Sequence, residues 1–207
     1  TGWGISVGST DDDAYGLYLS GPLAEGSSVS EALAATTLVP VASAPTFSAN
    51  GSVAWLDEDR GVHVMQGSTQ YDLGELPPLD RETYELSGLA GDCAAGTCGV
   101  FALDMFGPQT LFISLDGSIL TLPKGREVTS VGQKHFTAVI STTDEGSCSG
   151  VFTIADPAGE PLWQTCDYFL DYISPNDDYV LGLPAYLDGL GFGSLDLLNL
   201  NDGTRLQ

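Results

Sequence analysis

The sequence predicts an all-β fold, a β-propeller built from four-stranded antiparallel blades, and three observations carry that prediction. The first is composition: 26 glycines and 11 prolines among 207 residues, beside many Thr, Val, Tyr and Phe, favour short strands and tight turns over helices. The second is a recurring hairpin. The third is the interval at which the hairpins return.

The hairpin appears as Phe47-Ser48-Ala49-Asn50-Gly51-Ser52-Val53-Ala54-Trp55 and again as Ile173-Ser174-Pro175-Asn176-Asp177-Asp178-Tyr179-Val180-Leu181. Each copy runs from an apolar residue through a serine and an Asn-bearing turn into a second apolar run. A related piece, in which an apolar strand ends in a Gly-bearing turn and another strand follows, occupies Phe112–Leu120 and Leu198–Leu206. Val151–Trp163 repeats it through Asp156-Pro157-Ala158-Gly159, and Val62–Tyr71 repeats it loosely through Gln66-Gly67. Successive copies lie about 43 to 48 residues apart, the period of a four-stranded propeller blade or just above it.

These intervals divide the chain into a partial blade at 1–42 and blades at 43–79, 80–124, 125–166 and 167–207, one propeller domain in all. In the first blade Trp3–Gly8, Tyr15–Ser20 and Thr36–Val41 read as three strands with the innermost missing. Ser28–Ala35 alone reads as helical. About five blades suggest part of a larger ring of roughly seven; a closed five-bladed ring with an exchanged strand is the alternative. An open array leaves apolar faces at its ends.

The Ser174-Pro175-Asn176-Asp177 and Ser48-Ala49-Asn50-Gly51 turns resemble the Ser-Pro-Asp-Gly turn of bacterial WD-repeat-like and TolB-like propellers. The stretch from Asp178 to Leu200, with its Pro184–Gly191 insert, is similar to exported propeller proteins of high-GC Gram-positive bacteria. The Trp-Asp and Gly-His pairs of eukaryotic WD repeats do not occur. The resemblance implies a fold and is nearly silent on activity.

Charge narrows the partners. Against 28 acidic residues stand six basic ones, a formal net charge of −22, which repels phosphate backbones and anionic membrane surfaces. Nucleic acid is thereby excluded as a partner, and no apolar run approaches the roughly 20 residues of a membrane-spanning helix. The four cysteines, Cys93, Cys98, Cys148 and Cys166, permit three pairings. Local pairs, Cys93 with Cys98 and Cys148 with Cys166, suit hairpin geometry and point to an extracellular or cell-surface location; a four-cysteine zinc site is the competing reading.

The loops between second and third strands are acidic: Asp11-Asp12-Asp13, Asp57-Glu58-Asp59, Asp104, Asp144-Glu145 and Asp188. Gathered at one end, they would suit a cationic or basic partner, although turns favour Asp regardless. The Asp triplet lacks the alternating spacing of a calcium loop. Asp57, Asp59, Asp104, Tyr186 and Asp188 are the candidate binding residues, the last two in the long segment Pro184–Gly193. Phe106, Tyr168 and Phe169 are further candidates for stacking, whereas Trp55 and Trp163 read as packing between blades.

No nucleophile elbow, phosphate loop or cofactor motif is read, and His63 and His135 fall inside apparent strands. The sequence therefore points to a non-catalytic binding or scaffold propeller whose partner is a protein, sugar or other small molecule. The alternative is an enzyme or part of one, either a propeller glycosidase with paired carboxylates or the gating propeller of a peptidase.

Overall fold

The computed structural model describes residues 4–9, 15–20, 36–78, 84–107, 109–144, 146–186 and 195–206. Within them lie eighteen strands in five antiparallel sheets and no helix, so no helix is long and apolar enough to cross a membrane. The first sheet holds β1 (Gly4–Ser9), β2 (Tyr15–Ser20) and β3 (Thr36–Val41). The second holds β4 (Thr46–Phe47), β5 (Val53–Leu56), β6 (Gly61–Gln66) and β7 (Thr69–Glu75). The third is β8 (Tyr84–Ala90), β9 (Gly99–Asp104), β10 (Gln109–Ser114) and β11 (Ile119–Thr121); the fourth is β12 (Glu127–Val131), β13 (His135–Thr143), β14 (Gly146–Thr153) and β15 (Trp163–Thr165). The fifth is β16 (Tyr168–Ile173), β17 (Tyr179–Pro184) and β18 (Asp196–Asn199).

Every sheet is a meander in chain order. Neighbouring blades meet at their first strands, β4 against β8, β8 against β12 and β12 against β16, and these four line a shared cavity of about 470 Å³. That arrangement is a propeller array, with β4, β8, β12 and β16 nearest the axis. The fifth blade differs from the expected four strands: opposite β18 the chain makes a single bridge, Leu198 to Arg205, braced by Asn199 N–H to Thr204 O and Leu206 N–H to Leu197 O. The expected helix at Ser28–Ala35 lies outside the described residues.

Alternation along each strand builds the core. Ala54, Leu56, Val62 and Val64 face the third blade and bury against Leu86, Val100, Leu111 and Ile113. Their neighbours Val53, Trp55 and Met65 turn the other way, to Val41 of β3. Phe101 and Phe112 of the third blade meet Phe136 and Phe152 of the fourth in a ladder with centroid spacings of 4.8, 4.7 and 5.1 Å, and the Arg126 guanidinium caps Phe152 at 4.0 Å. Val151 carries the pattern on to Leu170, Ile173, Val180 and Leu198 of the fifth blade. Register puts Phe169 with Leu183, and Leu181 with Leu197, on that blade's opposite face; there Leu195 and Leu197 are 59% and 41% exposed.

The innermost strands are irregular. β8, β12 and β16 each slip register against their partner, between Leu86 and Gly88, Val128 and Ser130, and Leu170 and Ile173. Such bulges sharpen the twist a blade needs between axis and rim. Hydroxyls of the fourth blade satisfy the backbone freed in β16: Leu170 N–H donates to Ser149 Oγ, Ile173 N–H to Ser130 Oγ, and Thr129 Oγ1 donates to Leu170 O. At Gly88 the strands approach so closely that a Cβ would sit 2.2 Å from Val131 Cγ2.

The string Gly4-Ile5-Ser6-Val7-Gly8 does carry the Gly-x-Ser-x-Gly spelling of a nucleophile elbow. It lies within β1, paired residue for residue with β2, rather than on the strand-to-helix turn that the chemistry requires.

Candidate functional site

The repeated hairpin is a hydrogen-bonded device. In the Ser48–Ser52 turn the Asn50 side-chain oxygen accepts from Ser52 N–H and Oγ while Gly51 N–H donates to Ser48 O. Asp116 does the same between Ser114 and Ser118, and these bonds hold its carboxyl down at about 2. These turns join first to second, or third to fourth, strands. Of the candidate ligand residues, Asp57, Asp59, Asp104 and Tyr186 sit on the other connections, between second and third strands, at the opposite end of their blades.

There the structure shows what each carboxylate touches. Asp57 Oδ1 accepts from the backbone of Asp59 and Gly61, and its Oδ2 lies 2.8 Å from His63 Nε2. The other ring nitrogen of His63 is 2.6 Å from Asp72, and the ring stacks on Trp55 at 5.3 Å. Burial works against the charged imidazolium, yet the bonds to Asp57 and Asp72 prevail and raise the His63 pKa. Burial likewise opposes ionised Asp57, and the His63 and Gly61 bonds lower its pKa nonetheless. Asp57 is thus engaged within its own blade, whereas Asp59 is exposed.

Asp104 closes the next loop by accepting from Phe106 N–H at 2.9 Å. The loop tip carries Met105 and Phe106 outward, 50% and 63% exposed. Two cavities flank it, one of about 230 Å³ between Asp104, Phe106 and Arg126 and one of about 350 Å³ between Gly107, Leu122 and Lys124. Buried Tyr84 lies beneath: burial and Asp104 raise its pKa while Arg60 lowers it, so the Asp57–Arg60 and Asp104 loops share one neighbourhood. Tyr186, 60% exposed, follows Ala185, whose carbonyl accepts from Ser147 N–H at the start of β14. Asp188 and Asp11–Asp13 lie outside the described residues. Tyr168 is half-buried in β16 and donates to Asp196, and Phe169 is half-buried beside it.

Two arrangements were not legible in the sequence. The first is His63 between two carboxylates. The second is Asp177, a buried residue with φ of 56°, whose carboxylate accepts from Gln133 N–H at 3.0 Å and Lys134 N–H at 2.6 Å and lies 3.3 Å from His135 Nδ1. It fastens the fifth blade to the fourth. Both histidines stand on strands, as read, but neither is a bare strand residue.

Both disulfides are present, Cys93–Cys98 and Cys148–Cys166, with no free cysteine. The first closes the connection between β8 and β9 and the second ties β14 to the residue after β15. Four sulfurs paired with one another are not zinc thiolates, which removes the competing metal reading, and such pairs belong to oxidising surroundings.

No family model matches the sequence, and no curated protein matches it. Among solved structures the chain is similar to the crystal structure of TolB from Acinetobacter baumannii, with a TM-score of 0.54 at 12% identity, over 99% of this chain and 52% of that one. It spans about half the length of that protein. At such identity the likeness speaks to architecture, and it agrees with the blade array above: the chain has a TolB-like β-propeller fold.

Proposed function

We propose that this chain is the binding part of an exported, non-catalytic bacterial propeller, of the kind found in high-GC Gram-positive organisms, and that it engages a basic segment of a partner protein through its acidic loop end. The observation that carries the reading is the Asp104 loop. It offers Met105 and Phe106 to solvent beside Asp104, and exposed apolar side chains rimmed by charge mark interaction sites. Asp59 and Tyr186 extend the same end, with Asp188 as a further contact. Asp57 contributes charge while its oxygens hold the loop. The net charge of −22 speeds encounter with cations.

A lysine-rich peptide serves as probe in calorimetric titration. Combined Asp59→Asn, Asp104→Asn and Phe106→Ala substitutions are expected to weaken its binding about tenfold. Neutralising three carboxylates at the opposite turns, Asp92, Asp156 and Asp202, is expected to change it about twofold at most, by loss of field alone. Equal losses from the two sets would show that the probe reads net charge only and would sink the assignment to this end.

A further inference from the structure

At the other end of the blades, where first strands turn into second and third into fourth, a cavity of about 820 Å³ opens between the third and fourth blades. Its floor is apolar: Phe112 and Ile154 are buried, and Leu120 and Pro157 border them. Both walls are fixed before any ligand arrives. On the third-blade side stand the Cys93–Cys98 disulfide and the Asp116 turn. On the fourth-blade side Gln133, Lys134 and His135 are held by Asp177, which reaches across from the fifth blade. A large apolar concavity with a few convergent polar groups on a rigid frame is the geometry of a small-molecule site.

The polar groups select the ligand. Lys134 lines the cavity, and its ammonium meets no carboxylate among the described residues, although the chain carries 28 acids. It is an open counter-charge for one anion. In neutral His135 with Nδ1–H directed at Asp177, 3.3 Å away, Nε2 is the acceptor for an O–H or N–H group. Asp116, ionised on the facing wall, repels a second negative charge. The surrounding negative field turns away large polyanions, while a small anion at an apolar mouth is screened from charges more than about 8 Å away at physiological salt. We infer that this inter-blade cavity binds a small aromatic monocarboxylate carrying a hydroxyl or N–H donor, the ring on Phe112 and Ile154, the carboxylate on Lys134 and the donor on His135.

The test is calorimetric titration of the intact chain with 4-hydroxyphenylacetate, phenylacetate and 4-hydroxyphenylacetamide. Saturable one-to-one binding of the first is expected. Weaker binding of the second reports the lost donor, and a loss of about tenfold for the uncharged amide reports the ion pair. Lys134→Gln should reproduce the amide's loss with the carboxylate, Lys134→Arg should retain binding, and Lys124→Gln, at the opposite end of the blades, should leave it unchanged. Leu120→Asp, at an exposed position, should abolish binding without unfolding the chain. Absence of saturable binding, an amide that binds as well as the carboxylate, or equal losses from the two lysine variants would each overturn the inference.

Discussion

Asp177 illustrates how much one carboxylate contributes when it is buried between blades. Two backbone N–H groups and a histidine converge on it, and Gly132 leaves the space it occupies, since a Cβ there would lie 2.1 Å from its Oδ1. Asp177→Ala orphans both donors and is expected to cost about 2 to 3 kcal/mol, read as a shift in the denaturation midpoint. Burial works to raise its pKa, but the His135, Lys134 and Gln133 bonds prevail and lower it. Its contribution is therefore complete above the ordinary aspartate value of about 3.9 and is lost as pH falls through the lowered folded value. His63 has the opposite sign. Its pKa is raised in the fold, so the stability it lends is complete below about 6.5 and fades as pH climbs through the folded value. The melting temperature should fall as pH rises above about 6.5, and His63→Gln should flatten that limb. A slope that survives the substitution would assign it to another group.

At the scale of the element, the inner strands and the disulfides make separate predictions. Gly88→Ala places a methyl group against Val131, and overpacking of this kind costs about 1 to 3 kcal/mol; the same change at the open turn position Gly67 should act through backbone strain alone. The two disulfides close chain segments of different size, with sequence separations of 5 and 18 residues. On chain-entropy grounds, replacing Cys148 and Cys166 by serine should cost about 1 kcal/mol more than replacing Cys93 and Cys98. Paired urea melts of the two double variants decide it, and an equal loss would point to native-state contacts instead.

The hairpins were legible because their information is local. Ser48, Asn50 and Gly51 fix one turn within a few residues, and the same chemistry at Ser114–Ser118 repeats it. Strand alternation was legible for the same reason, and so was the local pairing of cysteines. Asp177 with His135 was not, because the partners are 42 residues apart and only the stacking of blades joins them. The inter-blade cavity escapes a reading of single strands entirely, since each wall belongs to a different repeat. Acidic loops were visible as composition, but which of their oxygens are already engaged, as at Asp57, is decided by a backbone turn that no spacing announces.

For the whole molecule, neighbour-to-neighbour stacking buries both faces of the middle blades, while Phe169, Leu181, Leu183 and Leu197 share a face of the fifth on which Leu197 is exposed and the other three are half-buried. Among the described residues that face is an adhesive patch, and mutual repulsion at a net charge of −22 opposes association through it. Light scattering should show net repulsion between molecules at neutral pH and low salt. It should turn to attraction as the pH approaches the isoelectric point near 4.1, and Leu197→Lys should blunt that attraction. The acidity on which the proposed basic partner depends thus sets the range of pH and salt in which the protein can be concentrated at all.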